Sequence, residues 1–234
     1  MLKLDGLYRQ DEFVLRIKAS VAAPSLTAVL GPSGAGKSTL LNIMAGFETL
    51  QSGMIAIDGD DVTQRPPALR PVSMVFQDNN VFPHLTLWQN AGLGISPSLT
   101  LNARQKQAVS DALARVGLLD LAQRRPGDVS GGERQRVALA RVLVREAKVL
   151  LLDEPFAALD PGLRREMLVL VKNITAERNL ATLLVTHQPE EIRDAADAIL
   201  FVAEGETRGF APQAFFASAE ASVTGYLGTK ATRA

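Results

Sequence analysis

The sequence of 234 residues predicts an α/β domain, in which a parallel sheet is covered by helices on both faces. Five short runs of continuous apolar residues predict buried strands, because a strand covered on both faces has no polar side. Segments with helical spacing lie between these runs and predict the covering helices. The predicted strands are residues 26–30, 72–76, 149–152, 181–186 and 198–202.

The other elements follow from local signals. Residues 3–8 and 13–17 flank a polar turn at Gln10-Asp11 and predict a small antiparallel hairpin beside the core. A further helix begins after Asp160, which suits an N-cap, because Pro161 is favoured in the first helical position. The remaining long helices are predicted at 37–45, 102–116 and 133–145.

The order of these elements predicts one domain over 1–234 with a helical insertion. Residues 79–147 contain two predicted helices and no convincing strand, so we predict an α-helical subdomain there. Residues 1–78 and 148–234 then form the α/β core with its β subdomain. After Gly205 we expect only a short helix near 212–217, followed by a tail of small residues.

Composition excludes several classes of function. Lys and Arg number 25, as do Asp and Glu, so the net charge of zero indicates no surface for wrapping nucleic acid. Cysteine is absent, which excludes disulfides, thiolate metal sites and cysteine nucleophiles. No run approaches the roughly 18 apolar residues that span a bilayer, and residues 1–5 do not resemble a signal peptide. We therefore expect a cytoplasmic protein that reaches a membrane only through another protein.

The clearest chemical motif joins the strand at 26–30 to the helix at 37–45. It satisfies the pattern G-x-x-x-x-G-K-[ST], whose glycines let backbone N–H groups close around phosphate oxygens. The lysine would reach the β- and γ-phosphates of a nucleoside triphosphate, and the serine hydroxyl would bind Mg²⁺. The phosphate loop and the start of its helix are Gly31, Pro32, Ser33, Gly34, Ala35, Gly36, Lys37, Ser38 and Thr39.

A second motif is the apolar strand at 149–152, which is followed by two acids, Asp153 and Glu154. In a nucleotide site, Asp153 would hold the Mg²⁺ shell and Glu154 would orient or deprotonate the attacking water. An apolar strand that ends in two solvated acids is common by itself. Combined with the phosphate loop, the pair predicts a nucleoside triphosphatase.

A third motif places Ser130, Gly131 and Gly132 before the helix at 133–145. Its hydroxyl, N–H groups and helix dipole form a second site for an anion, which one nucleotide site does not require. A head-to-tail dimer, in which this terminus caps the γ-phosphate bound by the other copy, explains it. A capping box between Ser130 and Glu133 is the ordinary alternative, and both interpretations are compatible. The capping box does not explain the pair of glycines.

These motifs, in this order, resemble the ATP-binding subunits of ABC transporters, from about residue 2 to about residue 209. The phosphate loop matches the Walker A motif of that family, residues 149–154 match Walker B, and residues 130–136 match the signature. The resemblance implies a P-loop NTPase (RecA-like) fold, ATP and Mg²⁺ as cofactors, and ATP hydrolysis.

The resemblance also assigns roles to single residues. Gln77 matches the glutamine loop, which senses Mg²⁺ and meets the permease, and Asp160 matches the dimer-contact loop. His187 matches the switch histidine at the γ-phosphate, which makes it catalytic together with Glu154 and Gln77. Tyr8 matches the aromatic residue that stacks on adenine, and Phe13 is its rival for that role.

The sequence departs from the family pattern at three positions. Val129 and Glu133 replace the usual Leu and Gln of the signature, and Ala157 replaces a common Ser. A carboxylate keeps the acceptor oxygens of the amide, and an acid is favoured in the first turn of a helix. None of the three changes removes a central catalytic group, so they affect the rate and leave the reaction intact.

Within the family, a chain of this kind pairs with a separate permease, as in bacterial importers. Residues 70–80 and 187–190, together with the short C-terminus, are most similar to the ATP-binding subunits of thiamine importers. The resemblance implies a second copy of the chain, transmembrane permease subunits and, indirectly, a periplasmic substrate-binding protein as partners, and no nucleic acid. It implies a peripheral position at the cytoplasmic face of the bacterial inner membrane.

Three alternatives remain open. An importer for another small solute, such as ferric iron, would share every catalytic motif. A soluble ABC ATPase of DNA repair or translation usually carries two nucleotide domains, a long coiled coil or a basic surface. A nucleotide kinase would share the phosphate loop, although residues 130–132 and the acid pair argue against it.

Overall fold

A mixed sheet of ten strands runs through the computed structural model, which describes residues 1–76 and 81–231. The strands are β1 (Leu2–Gln10), β2 (Phe13–Val21), β3 (Ser25–Leu30), β4 (Ser52–Ile57), β5 (Asp60–Asp61), β6 (Val72–Val75), β7 (Val149–Asp153), β8 (Ala181–Val185), β9 (Ala198–Ala203) and β10 (Glu206–Phe210). Their hydrogen-bonded order is β5-β4-β1-β2-β10-β9-β3-β8-β7-β6.

Helices cover both faces of this sheet. Those within the described residues are α1 (Lys37–Ala45), α2 (Leu87–Gly92), α3 (Ala103–Arg115), α4 (Gly131–Leu143), α5 (Pro161–Glu177), α6 (Pro189–Ile192), α7 (Pro212–Phe216) and α8 (Ala221–Ala231). Across residues 1–76 and 81–231, none of the helices combines the length and the apolarity needed to cross a bilayer.

The five predicted strands form the parallel half of the sheet, in the order β9-β3-β8-β7-β6. Every residue of β3, β7 and β8 is buried, as expected for strands covered on both faces. Along β7, Leu150 and Leu152 pack in the core that contains α3 and α4, whereas Val149 and Leu151 pack with α1 and the hairpin strands. The predicted α/β class is therefore confirmed.

The predicted antiparallel hairpin is confirmed as the pair β1 and β2, and the structure adds that it belongs to the same sheet as the core strands. Strand β10 pairs antiparallel with β9 and meets β2 through Glu206 and Arg16, so the hairpin continues the sheet. The sequence does not predict β4, β5 or β10. Strand β10 is polar and mostly exposed, so its local pattern is weak, and it forms because β9 and β2 both offer backbone hydrogen-bonding groups.

The described part of the segment 79–147 contains helices and no strand. Helices α3 and α4 begin and end within two residues of their predicted bounds, and α2 was not predicted. Asn90 is fully buried where α2 meets α4, and its side-chain and backbone oxygens accept hydrogen bonds from Arg141 at 2.7 and 2.9 Å. The division of the chain into a core and a helical subdomain stays a prediction.

The C-terminal segment is more ordered than the sequence predicts. In place of a tail of small residues, α8 packs on the sheet, and its Val223 and Tyr226 are buried. The ring of Tyr226 lies 5.6 Å from the ring of Phe201, which belongs to β9. Glycine and β-branched residues give α8 a low intrinsic helix propensity, so this packing stabilises a helix that local signals do not predict.

Candidate active site

The carboxyl ends of β3, β8 and β7 meet at one edge of the sheet, because the three strands are neighbours and parallel. The phosphate loop follows β3, Glu154 follows β7 directly, and His187 is the second residue after β8. The fold thus brings together predicted site residues that are far apart in the chain. The cleft at this edge is lined by Gln10, Phe13, Ser33, Gly34, Gly36, Lys37, Ser38, Thr39, Glu154 and His187.

Two glycines let the phosphate loop pass close to its neighbours. Gly31 has a φ of +151°, and a Cβ on it would lie 2.0 Å from the carbonyl oxygen of Val202 in β9. Gly36 has a φ of +98°, and a Cβ there would lie 2.6 Å from the ring of Phe13. Any side chain at either position would be strained and would clash. The loop backbone is therefore held between β9 and the hairpin, directly before the N-terminus of α1.

The side chain of Lys37 is held over the phosphate loop. Its Nζ donates hydrogen bonds to the carbonyl oxygens of Gly31, at 2.9 Å, and Pro32, at 2.7 Å. The residue is only 6% exposed. A buried ammonium beside backbone N–H groups gives the loop a positive field, which favours a bound phosphate.

Asp153 ends β7 and is 5% exposed. Burial raises the pKa of this carboxyl and the Glu154 carboxylate adds to the rise, whereas a hydrogen bond with Ser38 and the Lys37 ammonium act in the opposite direction. Its Oδ1 atom is buried and has no hydrogen-bond partner among the described residues. A buried carboxylate oxygen without a partner, next to a serine hydroxyl, fits a hard cation such as Mg²⁺, which prefers oxygen ligands.

Glu154 and His187 contact each other at the ends of adjacent strands. Glu154 Oε1 lies 2.6 Å from Nε2 of His187, and both side chains are partly exposed to the cleft. Glu154 has a φ of +48°, and its backbone N–H donates to the carbonyl oxygen of Val185 at 3.2 Å. The left-handed backbone conformation is uncommon for a residue other than glycine, and such conformations cluster at functional sites.

The capping box predicted at the start of α4 is present. The backbone N–H of Glu133 donates to Ser130 Oγ at 3.2 Å, and the backbone N–H of Ser130 donates to Glu133 Oε2 at 2.7 Å. The backbone N–H of Ser130 and its hydroxyl, which also donates to Glu133 Oε2 at 2.8 Å, hold the pKa of Glu133 below its usual value. A Cβ on Gly132 would lie 2.9 Å from Leu159 Cδ2. A larger residue at position 132 would have to displace the end of the Leu159 side chain, which is a mild constraint within a single chain.

The segment 156–160 follows the acid pair and contacts the signature helix α4. The N-cap predicted at Asp160 is confirmed, whereas the contact with Gln135 was missed by sequence reasoning. The backbone N–H of Ala158 donates at 3.0 Å to Gln135, a buried side chain of α4. Asp160 is exposed and caps α5 by accepting a hydrogen bond from the backbone N–H of Leu163 at 3.0 Å. Backbone hydrogen bonds, chiefly that from Leu163, lower the pKa of Asp160. Gln135 lies within the signature segment 130–136, but no local pattern shows that its side chain holds Ala158.

The structure argues against Tyr8 as the aromatic residue that stacks on adenine. Tyr8 is 3% exposed, and its hydroxyl donates to Glu48 at 2.9 Å and to Gln10 at 3.0 Å. Phe13 lines the cleft instead and packs edge-on against Tyr8, with the ring centroids 6.3 Å apart. The two residues lie on adjacent hairpin strands, and only the packing decides which ring faces the cleft.

Gln77, which the sequence assigns to the glutamine loop, lies outside the described residues.

The Walker A and Walker B motifs at one edge of a parallel sheet define a P-loop nucleoside triphosphatase. A family model described as ABC transporter matches residues 14–157, which is more than half of the chain. The chain belongs to the ABC transporter family and is an ATPase of the ATP-binding cassette class.

Relatives named thiamine import ATP-binding protein ThiQ match nearly the whole chain. The protein from Ruegeria sp. (strain TM1040) is 50% identical over 230 residues, covering 97% of this chain and 100% of the relative. Those from Mesorhizobium japonicum and Salmonella typhimurium are 52% identical over 236 residues and 50% identical over 232 residues. The match to the Mesorhizobium protein covers 100% of this chain and 93% of the relative, and the match to the Salmonella protein covers 98% of each.

Among solved structures, the chain is similar to the ATP-binding cassette MJ0796 in a dimeric, post-hydrolysis state with ADP and Pi bound. The TM-score is 0.79 at 26% identity, and the match covers 91% of this chain and 99% of the other. A second dimeric structure of MJ0796, described as a bacterial ABC transporter cassette, matches with the same values.

Proposed function

We propose that this chain is the ATP-hydrolysing subunit of a thiamine importer and acts as a head-to-tail dimer with a separate permease. One observation supports thiamine as the cargo. About half of all residues are identical, over nearly the full length, to those of proteins named for thiamine import. The catalytic motifs alone would not select a cargo, because the proposed ATPase subunit does not contact it.

In this proposal, the phosphate loop binds the triphosphate of ATP. Backbone N–H groups of the loop and the N-terminus of α1 surround the phosphates, and Lys37 moves from the loop carbonyls to phosphate oxygens. Ser38 and Asp153 would hold Mg²⁺, which neutralises charge on the phosphates when it is bound. Gln77 is proposed to join these two ligands.

Glu154 is proposed as the general base and His187 as its partner at the γ-phosphate. The Glu154 carboxylate faces the cleft, so it can accept a proton from the attacking water. The contact between Glu154 Oε1 and His187 Nε2 orients both side chains before ATP binds. Hydrolysis then needs no rearrangement of the strand ends that carry the two residues.

The signature residues would complete the site of a second copy. Ser130, Gly131 and Gly132 do not line the cleft over the chain's own phosphate loop within the described residues. The helix N-terminus that they form is suited to an anion, and the similar cassette MJ0796 is known as a dimer. Asp160, at the start of α5, is proposed to lie at the same dimer contact.

The proposed transporter places the chain at the cytoplasmic face of the bacterial inner membrane, held there by the permease. A periplasmic substrate-binding protein would deliver the cargo to the permease without contacting this chain. An importer for ferric iron or another small solute is the alternative that shares every residue of the site.

The test is affinity purification of the Glu154→Gln variant from its native membranes in Mg-ATP, followed by mass spectrometry and a thiamine-binding assay on the recovered complex. We expect a polytopic permease and a substrate-binding protein that binds thiamine. Recovery of a binding protein that binds iron and not thiamine would replace thiamine by iron as the assigned cargo. Recovery only of ribosomes or nucleic acid would contradict the transporter proposal.

We further propose that Phe13 stacks on the adenine ring. Base stacking on an aromatic side chain is worth about 1–3 kcal/mol, so Phe13→Ala should weaken ATP binding about tenfold or more. The matched control is Tyr8→Phe, which keeps the buried ring and should leave the Kd unchanged. Calorimetric titration with ATP measures both variants, and a Phe13→Ala protein with wild-type affinity would rule out the assignment.

A further inference from the structure

Arg164, in the first turns of α5, contacts the loop that follows the catalytic Glu154. Its Nε donates to the carbonyl oxygen of Phe156 at 3.3 Å, and a terminal nitrogen donates to that of Leu159 at 2.9 Å. The side chain is only 14% exposed. Two backbone groups of the segment 156–160 are therefore held by one guanidinium group.

The same guanidinium group also holds the segment that follows His187. Its other terminal nitrogen donates to Oε1 of Gln188 and, at 2.8 Å, to Oε1 of Glu191. Glu191 belongs to α6, and its side chain is 29% exposed. A partly buried ion pair of this kind is screened less by solvent than a surface pair. Arg164 thus joins two loops that leave adjacent strands, in addition to the direct contact between Glu154 and His187.

We infer that Arg164 is a positioning residue that holds the Glu154 loop and the His187 loop in one arrangement. The inference rests on the proposed roles of Glu154 and His187 in hydrolysis. Each loop begins at one member of the catalytic pair, and the 2.6 Å contact between that pair depends on the relative placement of the two loops. No contact of Arg164 with nucleotide is required.

Arginine suits this position for a geometric reason. Its planar group presents donors in fixed directions, so it can satisfy two carbonyl oxygens on one side and two side-chain oxygens on the other. Lysine has the same charge but a single nitrogen, and it cannot reach four acceptors in these directions. The segment 156–160 also receives support from α4, where Gln135 accepts from Ala158. The Arg164→Lys variant therefore loosens the link to the His187 loop without removing every contact of the segment.

The experiment compares Arg164→Lys with Arg165→Lys in the full chain. Arg165 is the matched control because it is exposed on the same helix and its Nε donates to the carbonyl oxygen of Pro161 in that helix. We expect Arg164→Lys to lower kcat by about tenfold or more, because small misplacements of catalytic groups are costly. The Kd for ATP should change by less than about twofold. Arg165→Lys should resemble the wild type in both values.

A second comparison uses the partner residue. Glu191→Gln keeps an acceptor oxygen and loses the charge, so it should lower kcat less than Arg164→Lys does. In the double variant the two losses should not multiply, because they remove the same link. A kcat of Arg164→Lys equal to that of Arg165→Lys would overturn the inference, as would a loss of ATP affinity equal to the loss of kcat. A wild-type protein without ATPase activity would instead contradict the proposed function.

Discussion

Replacement of Glu154 by Gln is expected to abolish turnover while leaving ATP binding intact. The amide can still contact His187 but cannot accept a proton from water, so the hydrolysis rate should fall by about a hundredfold or more. The phosphate loop and Lys37 are untouched, so the Kd for ATP should stay near the wild-type value. With hydrolysis blocked, two copies should remain associated around two ATP molecules.

The measurements for Glu154→Gln are phosphate release and size-exclusion chromatography in Mg-ATP. Glu190→Gln is the matched control, since Glu190 lies three residues beyond His187. Its side chain is 71% exposed and forms an ion pair with Arg193, away from the cleft. The control should hydrolyse ATP normally and should not accumulate as a dimer. If Glu154→Gln remains monomeric with ATP bound, the proposal that two copies of the chain share each nucleotide site is contradicted. If it hydrolyses ATP like the wild type, another group is the base.

Replacement of Lys37 by Ala should remove most of the affinity for ATP. The ammonium group would form charge-assisted hydrogen bonds to phosphate, which are worth about 1.5–3 kcal/mol each. The expected loss is therefore about tenfold to a hundredfold or more in Kd. Without ATP, Lys37 also joins the carbonyl oxygens of Gly31 and Pro32, so its removal loosens the start of the loop as well.

Calorimetry with ATP tests this variant, and Lys172→Ala serves as its control. Lys172 is exposed on α5 and does not line the cleft, so its removal should leave the affinity unchanged. Thermal unfolding of Lys37→Ala separates weaker binding from a loss of fold. A folded Lys37→Ala protein with wild-type affinity would contradict the assignment of the phosphate loop.

Much of the sheet could be predicted because parallel strands buried on both faces are apolar throughout. The predicted bounds of β3, β7 and β8 lie within one residue of the observed ones. The prediction missed β10 and α8, whose residues are polar or poor helix formers. Both elements form because the rest of the fold presents them with backbone partners or an apolar surface.

The candidate site divides in the same way. The phosphate loop, the acid pair and the signature could be predicted because each is a local motif, in which a few consecutive residues meet a chemical requirement. Roles that depend on how distant residues pack could not be predicted from the sequence. Tyr8 was preferred over Phe13 for adenine, and the structure buries Tyr8 against Glu48.

By itself, the sequence determined the class of the fold, the phosphate-binding chemistry and the order of the motifs along the chain. Only the tertiary structure decided that Phe13 faces the cleft, that Gln135 holds Ala158, and that Arg164 joins two loops. Arg164 and Glu191 lie 27 residues apart in the chain. Local motifs consist of neighbouring residues, so the sequence shows them directly. Contacts such as that of Arg164 with Glu191 depend on how distant elements pack, and no short-range pattern predicts them.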